Sequence, residues 1–196
     1  MTKSLILGGV FGGVVLFAWS FVSWTVLPWH TSDLMRFKNE DEVAQVLARN
    51  MAGDGLYTMP AVAPGYGAMS GEQKKAADAK MEAAMQRGPV VYGLVRSGYS
   101  ANMGKMMGTA LFFDFLVALL LSMLVMRTAG MTYGGRVSFL VMIGLVMGLA
   151  GSVPNWIWFG YPARWVLTMI ADTLIGMLLA GFVIARVAAP RAPKMA

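Results

Sequence analysis

The sequence predicts an all-α membrane protein: a four-helix transmembrane bundle with a small extracytoplasmic α+β domain inserted between its first and second helices. Three observations carry that prediction. Of 196 residues, 57% are hydrophobic and only 13% charged, a balance too apolar for a soluble domain of this size. Four stretches approach the roughly 20 apolar residues that a helix needs to cross a bilayer core. Between the first and second of them stands a polar segment of 78 residues, Pro28 to Lys105, with helix and turn signals of its own.

The four candidate spans are Ser4 to Leu27, Met106 to Met126, Val137 to Val153 and Trp165 to Ala185. Each must be helical, because backbone groups facing lipid find no water to bond and a lone strand would leave them unpaired. Lys3 followed by an apolar run also fits a signal peptide, but the run is long for that role and lacks an A-x-A cleavage pattern. It reads as a retained anchor. The organisation expected is transmembrane helix 1 over 1–27, an extracytoplasmic domain over 28–105, transmembrane helices 2 to 4 over 106–186 and a cytoplasmic tail over 187–196.

Four crossings put both termini on one side, and charge identifies that side as cytoplasmic, where Lys and Arg concentrate. Lys3, Arg127, Arg136, Arg186, Arg191 and Lys194 fall there with no acid among them, whereas the long loop holds nine positive residues and eight acids. The overall net charge of +6 therefore reports orientation and not nucleic-acid binding. Tryptophan gives an independent sign, since indoles favour the lipid boundary. Trp19, Trp24 and Trp29 cluster at the outer end of the first span, and Trp156, Trp158 and Trp165 flank the outer turn between the third and fourth.

Within the loop, Asn39 and Glu42 form a capping box ahead of Val43, Val46 and Leu47, with Gly53 as the stop. "GLYTMP" reads as a short strand ended by Pro60, and "AVAPGYGAM" as irregular chain. Ser70 and Gln73 form a second capping box, Ala77, Met81, Ala84 and Met85 recur at helical spacing, and Gly88-Pro89 closes that helix. "VVYGLV" is the second strand. A domain of this size has a limited core, so it is expected to lean on the membrane surface or on another subunit.

Two acids lie inside spans. At 1.5 Å per residue, Asp114 falls about 9 Å from the outer end of the second span and Asp172 about 12 Å into the fourth. Ser20, Ser23 and Thr168 reach a similar level, so a polar layer in the outer half of the bundle is expected. Intramembrane acids usually face the bundle interior and find a partner. The layer reads first as a lock between helices, through hydroxyls, indole N–H groups or Arg164. A transporter, or a quinone- or lipid-binding protein using Asp114 and Asp172, is the alternative. No ionisable group continues the layer toward the cytoplasm, which argues against a complete proton relay.

Close-packing signals are plain. Gly8 with Gly12, Gly9 with Gly13 and Gly144 with Gly148 show the small-x-x-x-small spacing that lets helix backbones approach, either within the bundle or toward another membrane protein. His30, the only histidine, stands in "LPWH" just outside the first span and reads as a polar interfacial side chain. One imidazole supplies neither a bis-histidine haem site nor the usual zinc set. Met103, Met106 and Met107 crowd the outer mouth of the second span; thioethers suit Cu(I), which keeps a copper-handling accessory protein as a third reading. Cysteine is absent, so disulfides and thiolate metal sites are excluded. No G-x-S-x-G, H-E-x-x-H or P-loop occurs, and Ser70 near lysines is a helix cap. No catalytic site, resident metal or cofactor is expected.

"LPWH" after the first anchor, "RGPVVYGLVRSG" before the bundle and "PNWIWFGYP" between the last two spans resemble small bacterial inner-membrane proteins with one exported loop. That resemblance implies location in the cytoplasmic membrane and no particular chemistry. Partners are expected to be the bilayer and other membrane-protein subunits, and the function that of a non-catalytic accessory or scaffold subunit.

Overall fold

The computed structural model describes residues 2–189 and is mostly helical. The chain divides into two compact units, Met1–Met35 with Ala101–Ala196, and Arg36–Ser100. Arg191 and Lys194, and with them the tail from residue 190 onward, lie outside the described residues.

The first unit contains four long helices, α1 (Thr2–Thr25), α4 (Met103–Val125), α5 (Tyr133–Phe159) and α6 (Ala163–Val187). All four are long and apolar enough to cross a membrane. The two helices between α1 and α4 belong to the second unit and are α2 (Glu40–Asn50) and α3 (Gly71–Arg87). The long helices alternate in direction. Along α1, Gly8 faces Ser122 and Ala188, while Gly12 faces Ala118 and Ile184, so α4 and α6 both run antiparallel to it. On α6, Gly181 approaches Leu140 while Met177 and Ile170 meet Gly144 and Gly148 of α5.

Glycine sets how closely these helices lie. A Cβ on Gly13 would stand 2.7 Å from the Phe115 Cα, and one on Gly12 would stand 2.7 Å from Ile184 Cγ1. Gly9 is pressed in the same way against the Leu119 and Phe115 side chains, Gly144 against Met177 and Gly148 against the Ile170 backbone. Association of helices in lipid rests on such packing, because lipid tails are as apolar as the side chains they would replace. All six glycines of the sequence pattern are buried.

The core is not spread evenly. Its buried cluster, Ala118, Leu121, Val125, Leu140, Met177, Ala180, Ile184 and Ala188, occupies the half of the bundle where α1 begins, here called the base. Toward the opposite end, the rim, α4 has no buried residue before Ala118 and α5 has none after Gly148. Helix α4 is held mainly by α1, α5 mainly by α6, and α4 barely touches α5.

The largest departure from the expected boundaries is at the end of the third span, while α5 also begins earlier, at Tyr133, and α2 ends at Asn50, short of Gly53. The third span, read as ending at Val153, continues as α5 through Pro154 to Phe159. Proline lacks the N–H that would bond the carbonyl of Ala150 and normally bends or breaks a helix. Here it lies within the last two turns, the Asn155 side-chain Nδ2 donates to the Gly151 carbonyl at 3.0 Å, and the helix stops where Gly160 turns left-handed at φ +68°. Glycine pays no Cβ penalty there.

In the second unit, Asn39 and Ser70 cap α2 and α3 with their side chains, and the Ser70–Gln73 box is complete. Strands β1 (Gly55–Met59) and β2 (Val91–Val95) pair antiparallel, with Leu56 opposite Leu94 and Thr58 opposite Tyr92. No residue from Arg36 to Ser100 is buried.

Candidate functional site

The site is assembled at the rim, where α1 ends. Val26 and Leu27 N–H groups both close onto the Val22 carbonyl, and Pro28, which cannot continue the helical ladder, turns the chain back. Residues 28–33 then wind into a short 3-10 turn over Thr31–Asp33, held by the Ser32 N–H on the Pro28 carbonyl at 2.9 Å. The returning chain places Trp29 and His30 against the last turns of the helix they have just left. The Trp29 indole N–H donates to the Ser23 carbonyl at 3.1 Å, satisfying one of the orphan carbonyls that every helix end exposes.

Asp172 of α6 is the centre of the arrangement. Its Oδ1 accepts from the Trp19 indole N–H and from the Ser23 hydroxyl, each at 2.7 Å, and its Oδ2 lies 3.5 Å from His30 Nε2. Gly176, one turn further along α6, leaves the space that the Trp19 ring fills, since a Cβ there would be 3.0 Å from Trp19 Cδ1.

His30 and Ser23 are both fully buried. Ser23 gives its single proton to the carboxylate, so its lone pairs accept from Trp29 Nε1 at 3.1 Å and from His30 Nε2 at 3.0 Å. That count assigns the imidazole the tautomer with its proton on Nε2, where it faces both Ser23 and Asp172. His30 Nδ1 is buried without a partner. An unused lone pair is the cheaper group to bury there, because an unpaired N–H would forfeit its full solvation.

Indoles surround the imidazole. Trp24 stacks on it at 3.9 Å with 4° between the planes, and Trp29 and Trp165 approach edge-on at 5.5 and 6.1 Å. A second link joins the same two helix ends: Arg164 pairs with Asp33 at 3.2 Å and donates to Ser32 Oγ at 2.9 Å. The arrangement fastens α1 and the turn after it to α6 by five contacts between side chains of hydrogen-bond or ion-pair type, and by the Trp19 indole on the Asp172 carbonyl, in the half of the bundle where apolar packing is thinnest.

It lacks the geometry of a nucleophilic triad. In that arrangement the serine and the carboxylate contact different ring nitrogens of the histidine, whereas Ser23 and Asp172 both address Nε2. Among the described residues no group of three or more His, Asp or Glu side chains converges on a metal position.

The expected polar layer is thus divided. Ser23 and Asp172 meet; Ser20 is exposed, Thr168 is partly buried, and neither side chain has a hydrogen bond among the described residues. Asp114 is partly buried on α4 and has no hydrogen bond or ion pair among the described residues. Of the belt, Trp19, Trp24, Trp29 and Trp165 converge on Asp172 and His30, while Trp156 and Trp158 stay exposed near the end of α5. Met103 and Met106 are exposed at the start of α4.

His30 was the residue least legible in the sequence. It reads there as interfacial, and the structure buries it completely. The available signal was Pro28, which obliges the chain to turn and brings the histidine back to the level of Ser23. The Asp33–Arg164 pair, 131 positions apart, left no local sign, and the sequence offered Arg164 to the intramembrane acids instead. No family model matches the chain, and no curated protein or solved structure matches it.

Proposed function

We propose that this chain is a multi-pass protein of the bacterial inner membrane, with both ends cytoplasmic and residues 28–105 outside, that acts as a non-catalytic accessory or scaffold subunit of a larger membrane complex. The carrying observation is the second unit. Sixty-five residues, Arg36–Ser100, form a compact unit without one buried residue. Leu56 and Leu94, paired across the strands, are 70% and 62% exposed, and Tyr92 beside them is 40% exposed. A two-stranded sheet is marginal in water unless a helix or another surface covers its apolar face, and contiguous exposed apolar patches mark interaction sites.

The membrane unit supports the same reading. Asp172 Oδ1 accepts from Trp19 and Ser23 and its Oδ2 lies beside His30, which supports a fastener between α1 and α6. A carrier using Asp114 and Asp172 together needs a path between them, and the described hydrogen bonds of Asp172 run only to α1 and the turn that follows it.

Extraction of the tagged protein in a mild detergent, followed by size-exclusion chromatography and quantitative mass spectrometry, tests the reading. A partner at fixed stoichiometry is expected. A monodisperse solitary chain would overturn the proposal. Orientation is checked separately, because the chain has no cysteine: Lys75→Cys should react with an impermeant maleimide added outside intact spheroplasts.

A further inference from the structure

We infer that Asp114 marks a docking face for a transmembrane helix of a partner subunit, and that the helix carries one basic side chain, Arg or Lys, at the depth of this carboxylate. The inference rests on the accessory-subunit reading and names the chemistry of the partner.

The position of Asp114 within α4 is the first support. It precedes Ala118, Leu121, Ser122 and Val125 by 4, 7, 8 and 11 residues, the spacing of one helical face, and those four are the buried residues of α4. Asp114 therefore lies on the inward stripe, one turn beyond the point where burial ceases. Rimward of it, every residue of α4 except Met107 is exposed, although α4 is apolar enough to cross a membrane. The stripe that its own chain covers at the base runs on toward the rim with only Met107 half-buried, and the acid stands at the junction.

Charge supplies the second support. A carboxylate at such depth is costly to leave unpaired, and acids inside spans pair with other groups or line polar cavities. Among the described residues of its own unit, no cation pairs with Asp114. Arg164 is taken by Asp33, and the His30 imidazole faces Asp172. Arg127, Arg136 and Arg186 belong to the base ends of their helices. Lys105 stands nine residues before Asp114 on the same helix, a rise of about 13 Å. Lipid headgroups hold their ammonium groups at the interface, about 9 Å above Asp114 by the same rise. A helix entering beside α4 covers the open stripe and brings a cation to the acid in one step.

The test uses the whole protein, labelled and reconstituted in phosphatidylcholine vesicles, with leucine-rich transmembrane peptides of about 20 residues that carry one Arg, one Leu or one Glu at the matching depth. Association is read by energy transfer. The Arg peptide is expected to bind about tenfold or more tightly than the Leu peptide, and Asp114→Asn should erase that difference. Asp114→Lys should reverse the preference toward the Glu peptide, a gain that a merely misfolded variant cannot produce. Equal association of the Arg and Leu peptides with the unmodified protein would overturn the inference, as would an Arg preference that survives Asp114→Asn. Because the peptides replace any cellular partner, this outcome is independent of whether a native complex is recovered by extraction. A stoichiometric complex with no Arg preference would leave the accessory reading standing and move its interface elsewhere.

Discussion

Helix α1 adheres to its neighbours by two different means at its two ends. Near its start, four glycines let the side chains of α4 and α6, and at Gly13 the backbone of α4, come close, and the attraction is dispersion between surfaces that fit. Near its end the same helix presents Trp19 and Ser23, which hydrogen-bond one carboxylate, while Trp29 and His30 on the returning turn bond Ser23. The difference follows from what each end can bury. At the base, four helices meet and an apolar cluster closes. At the rim, α4 and α5 have no buried residues, so shape alone cannot hold α1 to α6 and polar bonds, strong in a low-dielectric setting, take over.

Damage to the steric end should be the most severe. In Gly13→Leu the new side chain begins 2.7 Å from the Phe115 Cα, a backbone atom that cannot step aside, so α1 and α4 must separate. A loss of about 3 kcal/mol or more is expected, read from reversible unfolding in mixed micelles, and an unchanged midpoint would show that the close approach is not needed. At the polar end, Asp172→Leu keeps the bulk but strips Ser23 of its acceptor, leaving Trp19 only the residue-172 carbonyl and His30 only Ser23 Oγ. It should cost about 2 kcal/mol and loosen the rim alone, so hydrogen exchange should rise near Ser23 while the base around Ala118 and Ile184 stays protected.

Smaller effects serve as controls outside the bundle. Ser70→Ala removes the cap of α3 and should destabilise that helix by about 1 kcal/mol, visible in its amide exchange, with no change at either end of α1. Smaller still is the pH response of Asp54. The Ser97 backbone N–H and hydroxyl, bonded to Oδ1 at 2.8 and 2.9 Å, hold its carboxyl below the usual value of 3.8, with Arg96 assisting. A carboxyl lowered on folding contributes fully above its unfolded value and loses that contribution as pH falls through its folded one. Protection of the Ser97 amide should therefore be constant above about pH 5 and decline below pH 3.8, and Asp54→Asn should flatten that decline.

Much of this architecture is written locally. Four apolar stretches of helical length, two side-chain N-caps of which only Ser70–Gln73 is a full box, and a glycine at the end of α3 are readable because each signal lies within a few residues of its effect. The end of α5 was not, because Pro154 usually terminates a helix and only the following turn, through Asn155 and Gly160, shows why it does not here. The polar layer was half legible for a related reason. Counting residues gives depth but not rotation: it put Asp114 and Asp172 at neighbouring levels, yet Asp172 faces α1 and Asp114 lies on the stripe of Ala118. Gly176, whose missing side chain admits Trp19, matters only through a residue 157 positions away, and no spacing pattern announces it.

The central claim is that the Ser23–Asp172 bond is part of a working fastener between α1 and α6, and a double-mutant cycle measures it most directly. Unfolding free energies in mixed micelles for the unmodified protein, Ser23→Ala, Asp172→Leu and the double variant should give a coupling of about 1–2 kcal/mol, with Ser23→Ala costing little once Asp172 is gone. Effects that add within about 0.5 kcal/mol would contradict the account, because the two residues would then be neighbours that do not hold each other.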